Sequence, residues 1–570
     1  MFWGEAAPSA VREGRRKGGE APLRVGPMPR LTIDGKEIEV EAGTNLIEAA
    51  RRLGIEVPHY CYHPGLSIAG QCRLCMVDIE KTPRPSIACN TPAADGMVVH
   101  TQTERVKDMR RSMMEFHLIN HPLDCPVCDQ AGECWLQIYY MQHGLYDPRM
   151  LDEKVHKPKA VPLGPHVMLD AERCILCSRC VRFCDEITGT GELGIFGRGD
   201  HSEIGLFPGQ DLENNYSGNV VDICPVGALT DRDFRFRVRV WYLDTTKSIC
   251  PGCARGCNVE VHVNRKRPHH AEGRRVARLK PRFNDAVNAW WICDVGRYGF
   301  DAVDDPSRIR FARRGDAEVE LDEALNALLD ALRRHTPAEI AILASPDLAN
   351  EDLFALRRLT ETLGIRQVAF GVPPAAPTPA ADDFLLRADR HPNTRGAETI
   401  LPAGDAAAIL AAARAGRVKV LWVFQHDLLA AGWSAAETRQ ALERVDTLVF
   451  SGTNDNATSA LATLVLPLAA WVERDGTFTN FLGRVQRFRA AVEPLGEALA
   501  AWDLLGRLLG PLGVPPAGGR AELWFRELAT TVSAFAGLTY QSIGDGGAML
   551  AGAPPTTAPE PPGRRAPAPA

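Results

Sequence analysis

The sequence predicts an α+β protein of several domains, and three observations predict it. A chain of 570 residues exceeds what one hydrophobic core sustains and suggests about three to five domains. All 16 cysteines lie between Cys61 and Cys293, so the last 277 residues contain none. At about residue 303 the texture changes from cysteine-bearing loops to alternating helix and strand patterns. The charged fraction of 24% and the apolar fraction of 45% are ordinary for a globular protein. A net charge of -6 gives no reason to expect nucleic-acid binding. No stretch approaches the roughly 20 apolar residues of a membrane helix.

The first element is "MFWGEAAPSAVREGRRKGGEAPLRVGP", which has basic residues but no apolar h-region and so is not a secretory signal. Residues 1–28 read as a disordered tail or an upstream extension, with the folded part beginning near Met28. "LTIDGKEIEVE" follows, two β-rich runs around an Asp34-Gly35 turn, which is a strong hairpin signal. In "TNLIEAARRLG" the residues Leu46, Ala50 and Leu53 recur at helical spacing, with Thr44 as the expected N-cap and Gly54 as the stop. A hairpin, a packed helix and then a long cysteine-bearing loop is how a plant-type ferredoxin begins.

"RVKDMRRSMMEFHLINHP" (105–122) predicts a helix ended by Pro122. "KPKAVPLGP" (157–165) reads as a Pro-punctuated linker. Beyond residue 303, helical "LDEALNALLDALRRH" precedes strand-like "EIAILAS", and helical "EDLFALRRLTETLG" precedes "QVAFGV". Later "KVLWVFQ" and "TLVFSG" continue the alternation expected of a parallel sheet. The final "AGAPPTTAPEPPGRRAPAPA" is Pro/Ala-rich and is expected to be disordered.

Disulfides suit small secreted chains, and this chain is neither small nor signal-bearing. Tight C-x-x-C spacing means thiolates converging on one point, so the cysteines are expected to hold metal in a reducing compartment. They fall into four sets. The first is Cys61, Cys72, Cys75 and Cys89, spaced x10, x2 and x13. Three donors from one loop and a fourth from farther on match a [2Fe–2S] site of the plant type, although the first gap is wider than x4. Zinc is the competing reading.

The second set has only three local thiols, Cys125, Cys128 and Cys134, in "HPLDCPVCDQAGEC". Every other cysteine can be placed elsewhere, so the fourth ligand is expected to be His121 rather than a bystander. An imidazole in place of a thiolate removes negative charge and should raise the potential, by the logic of Rieske centres.

The third set, "CILCSRCVRFC", has the bacterial ferredoxin spacing, and a further Cys-Pro occurs at Cys224. One [4Fe–4S] cluster on Cys174, Cys177, Cys180 and Cys224 is expected. Cys184 is left as a small buried hydrophobe, with exchange between Cys184 and Cys224 as the alternative. Arg173, Arg179 and Arg182 either offset an anionic cluster or form a solvated basic face. The fourth set is Cys250, Cys253, Cys257 and Cys293, spaced x2, x3 and x35, for which a zinc ribbon stays open beside [4Fe–4S]. Its long gap holds "RKRPHHAEGRRVARLK", read as a surface insertion with His269 and His270 exposed. "GTGELG" (189–194) matches a dinucleotide fingerprint in letters only, because it follows a cluster loop and opens no helix.

In this order the four sets resemble the large iron–sulfur subunit (the G subunit, 75-kDa type) of NADH–quinone oxidoreductase, respiratory complex I. The signatures are "PHYCYHPGLSIAGQCRLCMVDIE", "NHPLDCPVCDQAGECWLQ", "ERCILCSRCVRFCDE", "GNVVDICPVGALT" and "CPGCARGCNVEV…WWICDVGRYGFD". Residues 462–488, "ATLVLPLAAWVERDGTFTNFLGRVQRF", are similar to the molybdopterin-oxidoreductase domain. The resemblance implies a β-grasp [2Fe–2S] domain over 29–108 and a His(Cys)3 [4Fe–4S] domain over 109–148. It implies a ferredoxin-like [4Fe–4S] domain over 149–246 and a molybdopterin-oxidoreductase-type [4Fe–4S] domain over 247–302. A shortened α/β molybdopterin-oxidoreductase-like domain without molybdenum is expected over 303–513. A C-terminal segment over 514–570 follows, disordered from about 550.

The resemblance also implies that His121 and its three cysteines are cluster ligands. The expected cofactors are one [2Fe–2S] and two to three [4Fe–4S] clusters, the last on the fourth set, with no molybdenum cofactor, flavin or NAD in this chain. No catalytic residue is expected, because the chain would act as an electron carrier rather than bind substrate. Implied partners are a flavoprotein NADH-binding subunit and other peripheral-arm subunits of a quinone-reducing, proton-translocating complex. The chain would lie peripherally on the cytoplasmic side of the bacterial inner membrane, touching the membrane only through membrane-arm partners. The rivals are an NAD-linked formate dehydrogenase, which needs a molybdenum-binding thiolate or selenocysteine beyond Cys293, and an iron-only hydrogenase, which needs a second ferredoxin run. A third reading makes the α/β part a docking scaffold.

Overall fold

In the computed structural model residues 28–374 and 380–564 are described. The chain divides into two units, Met1–Tyr242 with Glu560–Ala570, and Leu243–Pro559. Apart from Met28, the tail expected over 1–28 lies outside the described residues, as do residues 565–570.

The first unit opens on the expected hairpin. Asp34 and Gly35 both take left-handed φ, 47° and 79°, the conformation a two-residue hairpin turn with right-handed strand twist requires. Arg30–Ile33 pairs antiparallel with Lys36–Glu39 and parallel with Val98–His100. Met76–Ile79 and Ser86–Ile87 complete a five-stranded sheet. Helix Leu46–Arg52 packs Leu46, Ile47, Ala49 and Ala50 onto Leu31, Ile33, Val77 and Val99. Its N-cap is Asn45 rather than Thr44, because the Asn45 amide oxygen accepts from Glu48 N at 3.0 Å.

The helix expected before Pro122 spans Glu104–Leu118, with Thr103 Oγ1 accepting from Val106 N at 3.2 Å. It packs on strand Met76–Ile79 and on helix Trp135–His143. The stretch expected to be a linker, 157–165, instead carries strand Val161–Pro162. That strand joins Val167–Leu169 and Leu229–Asp231 in a three-stranded sheet. Pro162 is accommodated because its strand is at the sheet edge, where a missing N–H breaks no ladder.

The second unit begins with an antiparallel meander, Asp244–Ile249, Asn258–Val263 and Val276–Pro281. The insertion expected over 265–280 is therefore only partly surface: 265–269 are exposed at the tip, whereas Val276, Ala277 and Leu279 are buried strand residues. A seven-stranded sheet follows in the order Ala317–Val319, Ala312–Arg314, Leu464–Pro467, Thr447–Gly452, Val420–Phe424, Ile340–Leu343 and Gln367–Ala369. The last five run parallel, as expected, and the first two form an antiparallel edge.

Alternate residues of the parallel strands serve opposite cores. Trp422 and Phe424 face helices Leu321–Arg334, Asn350–Leu363, Ala501–Leu509 and Ala521–Thr531; Leu421 and Val423 face Ala406–Arg414 and Ala435–Glu443. Such two-sided burial is why these strands read as unbroken apolar runs. Each large side chain buried there contributes roughly 1.5–3 kcal/mol. The boundary expected at 513 does not fall there. Trp524, Phe525, Leu528, Phe535 and Tyr540 belong to the same core as Leu328 and Phe354. Nor does order end near 550, because Ala558 N donates to Asp285 O at 2.6 Å and Arg564 meets Glu186 at 2.9 Å.

Candidate metal centres

All 16 cysteines are free thiols, and most are buried. In the first set, Cys72 and Cys75 flank Arg73, whose left-handed φ of 54° turns the loop so that both sulfurs point inward. Cys89 sits in the 3-10 turn Ala88–Asn90, held by Ala88 N donating to Cys75 O at 2.9 Å. Cys61 and Cys72 sulfurs stand 3.5 Å apart, and Tyr60 N donates to Cys72 Sγ at 3.4 Å. Cys75 is hydrogen-bonded to Cys89. The bond from Cys72 pulls the Cys61 thiol down to about 5, while Cys72 and Cys75 are pushed up by their partner sulfurs and burial.

In the second set, Cys125 opens a 3-10 turn ending at Val127, and Cys134 stands at the N-terminus of helix Trp135–His143. Burial pushes the Cys134 thiol up to about 12, with Cys128 and Cys125 adding to the shift. His121 is 9% exposed, and burial lowers its pKa to about 4, leaving the neutral imidazole that ligation needs. It shares a neighbour with Cys128 in Arg173. Leu123, between His121 and Cys125, takes a left-handed φ of 54°.

The third set is the most fully assembled. Cys174, Cys177, Cys180 and Cys224 line one cavity with Ile175, Val226 and Leu229. Leu176 and Ser178 take left-handed φ of 53° and 58° to turn the loop around it, and Leu176 N donates to Cys174 Sγ at 3.4 Å. Burial raises all four thiols. Cys184 does not line the cavity; it is 0% exposed and hydrogen-bonded to Glu192. Strained non-glycine backbone thus recurs in the loops of all three sets, as it does where a loop is forced to present ligands.

The fourth set lies in the second unit. Cys250, Cys253 and Cys257 come from the first turn of the meander, and Cys293 caps helix Asp294–Tyr298 by accepting from Gly296 N at 3.4 Å. Burial raises the Cys250, Cys257 and Cys293 thiols. His269 and His270 pack on each other at 4.6 Å between ring centroids. The "GTGELG" segment runs into strand Leu193–Phe196, not a helix, and so lacks the geometry of a phosphate loop.

Two glycines that sequence reasoning missed show how closely backbone approaches sulfur. A Cβ on Gly227 would lie 2.3 Å from Cys128 Sγ, and one on Gly296 would lie 2.8 Å from Cys250 Sγ. Among the described residues no three His, Cys, Asp or Glu side chains are gathered tightly enough for a single metal ion. A cluster spreads its ligands over several irons and asks for wider spacing. Thiols raised chiefly by burial become thiolates only beside a strong cation, so these sulfur-rich donor sets fit metal centres such as iron–sulfur clusters.

The three sets of the first unit share surroundings. Cys61, Cys72, Cys134, Cys174, Cys177 and Cys224 all border one apolar core with Tyr60, Met114, Leu136 and Tyr139. Cys177 lies in the field of Cys61, and Gly227, three residues after Cys224, abuts Cys128. The third set therefore approaches both the first and the second. The three arginines are not a solvated face: Arg173 and Arg179 are buried, and Arg182 donates to Cys61 O at 2.5 Å and Cys177 O at 3.3 Å.

Five family models match the chain in succession. They are the 2Fe-2S iron-sulfur cluster binding domain over 27–104 and the NADH-ubiquinone oxidoreductase-G iron-sulfur binding region over 110–149. The NADH-quinone oxidoreductase subunit 3 ferredoxin-like domain matches 164–230, and the molybdopterin oxidoreductase Fe4S4 domain matches 243–305. Molybdopterin oxidoreductase itself matches 390–510. Among curated relatives, the NADH-quinone oxidoreductase G subunit of Rickettsia felis is 39% identical over 340 residues, 59% of this chain and 49% of the relative. The mitochondrial NADH-ubiquinone oxidoreductase 78 kDa subunit of Neurospora crassa is 40% identical over 351 residues, 60% of this chain and 46% of the relative. The chain thus spans about half the length of the curated relatives it matches. A crystal structure of an NAD+-reducing [NiFe]-hydrogenase is 30% identical, covering 37% of this chain and 91% of that one, at a TM-score of 0.32. With [2Fe–2S]- and [4Fe–4S]-binding domains in this order ahead of a molybdopterin-oxidoreductase domain, the chain is a homologue of the NADH-quinone oxidoreductase G subunit and its mitochondrial 78 kDa counterpart.

Proposed function

We propose that this chain is the electron-transfer subunit of a proton-translocating NADH–quinone oxidoreductase. It would receive electrons from a flavoprotein NADH-binding partner and deliver them toward a quinone-reducing one. Cys61, Cys72, Cys75 and Cys89 would hold a [2Fe–2S] cluster. His121 with Cys125, Cys128 and Cys134, and Cys174, Cys177 and Cys180 with Cys224, would each hold a [4Fe–4S] cluster. Cys250, Cys253, Cys257 and Cys293 would hold a third. When bound, such clusters take up and release single electrons.

The observation that carries this reading is the single apolar core bordered by cysteines of three sets. Tyr60, Met114, Leu136 and Tyr139 exclude water between the sets, and a low dielectric is the insulation an electron wire needs. Amide donors from Tyr60, Leu176, Gly252 and Gly296 to cysteine sulfurs stabilise negative charge on the first, third and fourth sets. The position of Cys177 in the field of Cys61, and the approach of Gly227 to Cys128, favour the order first, third, second. The seven-stranded unit would serve as a scaffold, with no cysteine after Cys293 to hold molybdenum. Among the described residues no helix is long and apolar enough to cross a membrane. By the resemblance alone, the chain would lie peripherally on the cytoplasmic side of the bacterial inner membrane, reached through membrane-arm partners.

Metal and sulfide analysis of anaerobically purified chain tests the assignment. About 14 irons with matching acid-labile sulfide are expected if all four sets load. Zinc in place of iron and sulfide would refute it for the sets concerned. The isolated chain should not oxidise NADH, and turnover without a flavoprotein would refute the carrier role.

A further inference from the structure

Arginine keeps its charge in proteins, and a guanidinium buried without an anion is strongly destabilising. The arginines beside the cysteine loops meet this requirement differently. Arg173 is neutralised by Asp124 at 2.6 Å and Asp170 at 3.1 Å. Arg179 is 2% exposed, and among the described residues no carboxylate comes within ion-pair distance of it. Its Nη1 donates to Ile223 O at 3.1 Å and its Nη2 donates to Tyr62 O. Its face lies over the Trp135 ring, 4.6 Å from the centroid. Its Nε is buried with no acceptor among the described residues.

The acceptors it does find are backbone carbonyls beside ligand positions. Tyr62 follows Cys61, Ile223 precedes Cys224, and Arg179 itself lies between Cys177 and Cys180. The thiols nearest in electrostatic terms are Cys177, Cys72 and Cys61, drawn from the third and first sets. A full positive charge is therefore held by oriented contacts between two groups of sulfurs, with no carboxylate paired to it among the described residues.

We infer that Arg179 is a potential-setting residue shared by the first and third sets, its missing anion being the clusters that those sets hold. The inference rests on the iron–sulfur reading above. Each cluster becomes one unit more negative when it accepts an electron. A fixed positive charge beside it favours the reduced form and raises its potential, and one charge between two clusters raises both. The plain packing alternative, in which the guanidinium only fills space against Trp135, leaves both potentials alone.

Redox titration followed by low-temperature EPR separates these. In Arg179→Gln, at a fixed ambient potential, the reduced-to-oxidised ratio of both the [2Fe–2S] signal and the third-set [4Fe–4S] signal should fall about tenfold. That is about 59 mV for a one-electron couple. Arg179→Lys keeps the charge and should hold both ratios within about threefold of wild type. Wild-type ratios in Arg179→Gln, or movement of only one signal, would overturn the shared role. Should the Gln variant fail to load, the Lys variant decides: a tenfold fall in it would mean that charge is not what matters. Wild-type protein without either signal would refute the iron–sulfur reading itself.

Discussion

Gly227 is where the loop of the third set closes on the second, and replacing it with alanine is the sharpest single perturbation the structure offers. The new Cβ would stand 2.3 Å from Cys128 Sγ and 3.1 Å from Gln130 Cβ, where ordinary contact begins at 3.4 Å. Sulfur would have to retreat by about 1 Å, against a tolerance of about 0.2 Å in a metal–ligand distance. Overpacking of this kind destabilises by about 1–3 kcal/mol. That is small for a chain of this size, so the unit should stay folded while one ligand is displaced. Gly227→Ala should therefore lose the second-set [4Fe–4S] signal and about four irons per chain, keeping the [2Fe–2S] and third-set signals. Low-temperature EPR with iron analysis on anaerobic protein is the assay. A wild-type spectrum with full iron content would refute the placement of Cys128 as a ligand pressed against this glycine.

The other predictions concern ligand identity and pH. Cys184→Ala should retain every EPR signal and lose on the order of 1 kcal/mol of packing, whereas Cys224→Ala should abolish the third-set signal. The reverse pattern would exchange their roles. His121→Cys should keep a cluster at lower potential, and His121→Ala should lose one; an unaltered Ala spectrum would make the histidine a bystander. Glu351 is buried without a basic partner among the described residues, accepting from Thr477 N, Thr477 Oγ1 and Tyr540 OH, each at 2.9 Å. Burial raises its pKa from 4.5 to about 7, so ionisation is harder in the folded state than in the unfolded one. Its contribution to stability is highest below pH 4.5 and declines as pH rises to about 7, by on the order of 3 kcal/mol. Glu351→Gln should remove that decline in a comparison of thermal unfolding at pH 5 and pH 8, and an equal decline in both proteins would refute it.

Features that depend on near neighbours were legible in the sequence. The Asp34-Gly35 hairpin follows from two residues that tolerate positive φ, and the parallel strands follow from unbroken apolar runs between amphipathic helices. Cysteine spacing led to the four sets, and the cavity of the third contains the four thiols expected and omits Cys184. What escaped depends on residues far apart in the chain. Residues 157–165 read as a linker because proline marks loops, yet an edge strand tolerates Pro162. The boundary at 513 failed because helix Ala521–Thr531 looks separate until it packs against Asn350–Leu363. Arg179 could be seen beside the cysteines, but not whether an acid neutralised it. Gly227 looked like any turn glycine, and only its approach to Cys128 reveals its purpose.

On the proposed reading, thiols of three sets, with one imidazole, surround separate iron–sulfur centres within the Met1–Tyr242 unit. Stepwise reductive titration of the anaerobic chain, followed by EPR over a range of low temperatures, tests it most directly. One [2Fe–2S] signal and at least two distinct [4Fe–4S] signals from that unit are expected, each lost when a cysteine of its own set is replaced. A fully reduced sample without paramagnetic iron signals would contradict it.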